Sequence, residues 1–180
     1  MRMDTRIGLE TGVATFYEGW PKANRRLIQK IRELPPEALN WRATADSWPI
    51  WAMVAHCAMV RVYWLCDVLK EPGAETTPFT NAAEEGWEDH LDQPRGAAEL
   101  IGALEVTWRI VESCLERWSP AMLEEAFTRM KNDRVESHTR ASVLIRLISH
   151  EGYHSGEVSL LLGMHGLEPI DLWRVEPATD

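Results

Sequence analysis

The chain is predicted to be all-α: a four-helix bundle with long crossover connections, folded as one domain over residues 1–180. Three observations predict it. Apolar residues recur at spacings of three, four and seven in four long stretches, and no stretch shows strict alternation. Proline, glycine and capping residues punctuate those stretches and leave two long connections. The length suits a single core.

The first helical stretch carries Leu9, Val13, Phe16, Trp20, Leu27, Ile31 and Leu34 on one stripe. Pro21 interrupts its hydrogen-bond ladder while the stripe keeps its phase, which predicts a kinked or abutting pair of helices. Leu34-Pro35-Pro36 ends it. The second helix opens near Asp46-Ser47, both good caps, with Pro49 in its first turn. It runs through Ile50, Met53, His56, Val60, Tyr63 and Asp67 to about Lys70. Residues 71–95 are rich in turn formers and read as a lid or mobile loop. The third helix starts around Asp92–Pro94 and carries Ile101, Leu104, Trp108, Val111 and Leu115. One short helix is expected around Ala121–Phe127, then a polar turn at Lys131-Asn132-Asp133. The fourth helix begins near Ser137 or Thr139, and Gly163 or Gly166 stops it. The tail reads as ordered to Trp173.

Composition excludes several classes. With 28 acidic and 19 basic residues the formal charge is −9, which repels phosphate backbones and argues against nucleic acid as a partner. No apolar stretch is long enough for a membrane span, and the N-terminus lacks an apolar signal core, so a cytoplasmic protein without a membrane partner is expected. Cys57, Cys66 and Cys114 are odd in number and lack the paired spacing of disulfide or thiolate-metal frameworks. The nine tryptophans read first as core, and otherwise as walls of a pocket.

The string His150-Glu151-Gly152-Tyr153-His154 matches the zinc-protease pattern H-E-x-x-H. A spacing of four stacks both imidazoles on one helical face, where they can converge on one cation. The metzincin extension calls for a glycine and a further histidine at the positions that Glu157 and Leu160 occupy, so it fails. Glu168 and Glu176 lie beyond the helix stop and make poor third ligands. His56 is the better one, on the apolar stripe of the second helix between Met53 and Val60. An inward histidine on one helix facing an inward pair on another is how bundles build metal sites. Three imidazoles with the remaining positions open is a catalytic pattern. Glu157 points about 20° from His150 around the helix and Glu151 about 100°, so both are candidate catalytic carboxylates, with Glu157 favoured. Asn24 interrupts the first stripe and is a candidate cofactor-binding hydrogen-bonder or simply a polar break. His90, His138 and His165 read as surface groups.

Residues 137–173, SHTRASVLIRLISHEGYHSGEVSLLLGMHGLEPIDLW, together with residues 39–58, LNWRATADSWPIWAMVAHCA, resemble the DinB-like (YfiT-like) metalloenzyme family over nearly the whole chain. The resemblance implies a four-helix bundle with long crossovers and a metal triad at His56, His150 and His154. Members often read His-Arg-Gly-Gln where this chain has His154-Ser155-Gly156-Glu157. By resemblance, H-E-x-x-H is here HxxxH with an incidental glutamate. The implied activity is thiol-dependent: a divalent transition metal, zinc or nickel first, and a low-molecular-weight thiol that is transferred to a small electrophilic substrate. The alternatives are a metal-dependent hydrolase and a non-catalytic metal- or ligand-binding stress protein. A homodimer is expected on the same ground.

Overall fold

The structure, a computed structural model, describes residues 12–171. Leu9, Trp173 and Glu176 lie outside them. Four helices dominate: α1 (Gly19–Glu33), α2 (Ile50–Val62), α3 (Ala97–Arg117) and α4 (Arg140–Met164). Between α3 and α4 stands an antiparallel hairpin, β1 (Ala126–Lys131) and β2 (Arg134–Thr139). The fold is the four-helix one expected, mostly helical, with this small hairpin added.

Helix α2 is the central rod and packs against both α3 and α4. Of its residues, only His56 is not buried. Trp51 is 1% exposed, and Ile50, Ala52, Ala55, Ala58 and Val62 are fully enclosed. A helix apolar all round is what a central position requires. Its start differs from expectation: Pro49 is the N-cap, with no side-chain cap. Ser47 instead closes a local turn, accepting from Thr44 N–H at 2.8 Å and donating to the Thr44 carbonyl at 2.9 Å. Beyond Val62 the rod loosens into one π-helical segment, Tyr63–Val68.

The first segment is an abutting pair, a 3₁₀ turn at Val13–Tyr17 followed by α1, with Pro21 in the first turn of α1. Trp20, Asn24, Leu27, Ile28 and Ile31 face inward, but Phe16 does not: it is 76% exposed, because the 3₁₀ turn does not carry the α-helical stripe. Helix α3 starts later than expected, with Gly96 as its N-cap and Glu99 accepting from Gly96 N–H at 3.0 Å. Leu100, Leu104, Val111 and Leu115 line its core face.

Helix α4 is capped reciprocally by Thr139 and Ser142. At its other end Gly166, at φ 75°, lets Leu167 N–H reach the Leu162 carbonyl at 2.9 Å and its own N–H reach Gly163 at 3.1 Å. This is the paired-bond stop that needs a left-handed residue. Near the start of α4 a buried latch ties three elements. Glu71 accepts from Arg117 (2.7 Å), the Trp118 indole (3.0 Å) and Arg140 (3.2 Å).

The hairpin replaces the expected short-helix-and-turn reading; only a 3₁₀ turn at Pro120–Glu124 survives of the helix. Its two-residue loop puts Asn132 at φ 49° and Asp133 at φ 59°, the doubly left-handed geometry that tight hairpins demand. Its bundle-facing side is built on Phe127 and Arg129. The Arg129 guanidinium lies over Trp64 at 4.4 Å, and Phe127 lies under Arg140 at 4.7 Å. Arginine stacking replaces a second hydrophobe, so hydropathy alternation is muted. His138 is half-buried against Trp64 at 4.8 Å, not a surface group.

The connection from Leu69 to Gly96 contains two 3₁₀ turns, Ala74–Thr76 and Trp87–Asp89. It is not a detached cover: Thr77, Phe79, Ala82 and Glu88 are buried. Among the described residues, no helix is long and apolar enough to cross a membrane.

Candidate metal centre

His56 leaves the central rod where α2 faces α4, and His150 and His154 come from successive turns of α4. Ligand nitrogens of the three all lie within 4.8 Å of one another. The Nε2 atoms of His150 and His154 are 3.2 Å apart. A tetrahedral ion with bonds of about 2.0–2.1 Å holds two nitrogens about 3.3 Å apart, so the pair on α4 is already spaced for one ion.

Carboxylates orient two of the rings from behind. His56 Nδ1 meets Glu88 Oε1 at 2.5 Å, and His154 Nδ1 meets Glu157 Oε2 at 2.7 Å. With Nδ1 committed in each ring, Nε2 is the nitrogen left for a cation. His150 Nδ1 is buried with no hydrogen-bond partner among the described residues. Burial, with His154 and His56 close by, pushes His150 down to about 4. Burial also lowers His154, against the opposing pull of Glu157. Near neutral pH His150 is thus uncharged, the form that binds metal.

Aromatic rings border the cluster. Trp48, from the turn before α2, lies 4.9 Å from the His56 ring and 6.2 Å from His154. Tyr153 is 64% exposed and sits 5.2 Å from His154. Its hydroxyl bonds to Glu157, which raises it above the ordinary tyrosine value.

The other expected site residues go elsewhere. Glu151 is not presented to the histidines. Its Oε1 accepts from Arg61 Nε at 2.7 Å and its Oε2 from the Trp20 indole at 2.8 Å. Asn24 is likewise taken: its Oδ1 accepts from Arg61 at 2.8 Å. Arg61 is fully enclosed, also donates to the Leu104 carbonyl at 3.1 Å, and lies over Trp108 at 5.3 Å. These residues form a buried polar knot joining α1, α2, α3 and α4. Glu151 departs from expectation because one helical step, about 100°, turns its side chain from the histidine face into the core. Glu88, Trp48 and Tyr153 are the neighbours that sequence reasoning missed. Periodicity could not find Glu88, which belongs to a three-residue turn; its one signal was an acidic residue beside glycine and tryptophan in Gly86-Trp87-Glu88. His90 and His165 are outside the cluster, His165 stacked on Trp41 at 3.8 Å.

Comparison with known proteins agrees with this architecture. The family description "DinB superfamily" matches residues 21–158. The fold is similar to the crystal structure of a DinB-like protein from Bacillus cereus ATCC 10987, with a TM-score of 0.66 at 15% identity, covering 93% of this chain and 100% of that one. None of the curated proteins matches significantly.

Proposed function

The chain belongs to the DinB superfamily, and on that premise we propose that it is a metal-dependent enzyme joining a small thiol to a small electrophile, with His56, His150 and His154 holding one divalent transition ion. The observation that carries the metal site is the convergence of three imidazoles, two of them oriented by a carboxylate on the far nitrogen. This donor set fits a borderline cation such as zinc or nickel: all-nitrogen, neutral, and leaving part of the coordination sphere open. Bound there, the ion supplies undiminished positive charge that favours the ionised form of a thiol or water beside it.

The remaining chemistry falls to the chain's residues. Glu157 fixes the His154 ring and, being partly open to solvent, stands with Tyr153 where a thiol proton can be passed outward. In the reaction a sulfur–carbon bond forms at the electrophilic carbon. The bond from that carbon to its leaving group breaks, with the electron pair departing on the leaving group (chloride from monochlorobimane), and the thiol proton leaves through these groups. Trp48 gives the substrate a flat apolar wall. The protein's own cysteines are unsuited as the nucleophile. Burial pushes the Cys57 thiol far above its ordinary value, Cys66 to about 11 and Cys114 to about 12. A reacting thiol therefore comes from a small molecule, in line with the family resemblance.

The test is elemental analysis of the purified protein, followed by a panel of small thiols with monochlorobimane as electrophile. We expect about one metal per chain and metal-dependent conjugation with at least one thiol. His56→Ala and His154→Ala should each lose both. Full metal occupancy without His56 would sink the triad. Thiol-independent hydrolysis would move the reading to a hydrolase, and metal without any turnover to a binding protein.

A further inference from the structure

Glu88 presents an electrostatic problem that the described residues by themselves do not solve. It is 3% exposed, and it reaches the site from a three-residue turn of the long connection, not from a bundle helix. One oxygen meets His56 Nδ1 at 2.5 Å, while the other, Oε2, is buried without a hydrogen-bond partner among the described residues. A carboxylate enclosed with so little compensation is costly to bury. Nevertheless the turn is shaped to put it there. Gly86 N–H donates to Asp89 at 2.8 Å, closing the turn around Glu88. Any Cβ at position 86 would stand 2.3 Å from Glu88 Oε2, so only glycine leaves room for the carboxylate. Trp87 beside it packs on Phe79 at 5.0 Å and lies under Arg95 at 4.6 Å, which ties both flanks of the connection to the same spot.

The missing compensation has an evident source. The imidazole of His56 stands between Glu88 and the point where the three ring nitrogens converge. A cation at that point places opposite charge across one ring from the buried carboxylate, and the carboxylate in return orients the ring and strengthens it as a ligand. We infer that Glu88 is a positioning residue that couples the seat of the Leu69–Gly96 connection to occupation of the three-histidine centre. Because such coupling is reciprocal, metal stabilises the seated connection and the seated connection tightens the metal. The inference rests on the proposed metal centre and adds to it a device by which occupancy arranges the wall of the site.

The experiment uses the full chain with zinc alone. Zinc affinity is measured by competition with a chromophoric chelator, and hydrogen exchange of residues 71–95 is followed with and without zinc. In the wild type, zinc should slow exchange in the 86–90 segment. Glu88→Ala should weaken zinc by about 10–100-fold and abolish the zinc-dependent protection, while far-UV circular dichroism stays unchanged. Gly86→Ala, which displaces the carboxylate without removing it, should act in the same direction. Glu88→Gln, which keeps an oxygen for the ring but not the charge, should fall between wild type and Glu88→Ala. Zinc affinity within threefold of wild type in both Glu88→Ala and Gly86→Ala, or protection retained in Glu88→Ala, overturns the coupling while leaving the centre intact. A wild-type chain that binds no zinc, nickel, iron or manganese overturns the three-histidine reading and the coupling with it.

Discussion

Replacing Arg61 with methionine isolates the buried polar knot from the candidate metal centre. Arg61 is fully enclosed and donates at 2.7 Å to Glu151, at 2.8 Å to Asn24 and at 3.1 Å to the Leu104 carbonyl. Methionine fills much of the same volume but leaves Glu151 as a buried carboxylate whose remaining donor is the Trp20 indole. Removing one partner of a buried ion pair typically costs about 3–5 kcal/mol. For a domain of this size that is a fall in Tm of roughly 6–20 °C. The larger part is the stranded charge, not the lost attraction. Adding Glu151→Gln to Arg61→Met should therefore recover at least half of the loss, since the amide oxygen still accepts from Trp20 and no charge is buried. Urea denaturation of the wild type, both single variants and the double variant measures the whole cycle. Arg61→Met within 1 kcal/mol of wild type, or a double variant no better than Arg61→Met, would refute the argument.

Other outcomes test separate parts of the molecule. Burial alone would raise the Glu71 carboxyl, but hydrogen bonds from Arg117, Arg140 and Trp118 outweigh it and hold it below the ordinary glutamate value near 4.5. Its contribution to stability is therefore complete above about pH 4.5 and fades as the pH falls through the lower, folded value; Glu71→Gln should lose stability at pH 7 and show a flatter acid limb in pH-dependent urea melts. Asp133→Gly should be neutral or stabilising because φ is 59° there and glycine has no Cβ to strain, whereas Asp133→Ala keeps the Cβ, loses the short polar side chain that tolerates this conformation, and should be less stable than wild type, both read by the same melts. Thr139→Ala removes the N-cap of α4 and should cost about 1 kcal/mol. Glu151→Gln should retain bound metal by elemental analysis, and casein should resist the wild type; casein cleavage that this substitution abolishes would reinstate the peptidase reading.

Much of the architecture was legible in the chain because helices announce themselves locally. The stripes of α1, α3 and α4 follow from 3.6-residue periodicity, and Pro35-Pro36, Thr139 and Gly166 mark boundaries through backbone chemistry that operates within a few residues. The convergence of His56 with His150 and His154 was also foreseeable, from an i, i+4 pair on one stripe and a polar interruption on another. The hairpin was not. Its inner face relies on Arg129 stacked over Trp64, a contact between residues distant in sequence, and a hydropathy pattern counts that arginine as solvent-facing.

The sequence by itself determined that four helices form, about where α1, α3 and α4 stop, and that three imidazoles occupy inward positions, since these are properties of spacing and of neighbouring residues. It carried α2 on to about Lys70, where the structure has α-helix only to Val62 and a π-helical segment beyond. Glu157, on the histidine face of α4, was legible from spacing and meets His154, but only the tertiary structure decided that Glu88 and not Glu151 joins it beside the histidines. Glu151 stands next to His150 in the chain yet turns to Arg61 across the core, while Glu88, remote in sequence, arrives against His56. The reason is physical: a charged side chain inside a protein goes where the counter-charges and hydrogen bonds are. Their positions are fixed by how the helices and connections pack, not by the order of residues along any one of them.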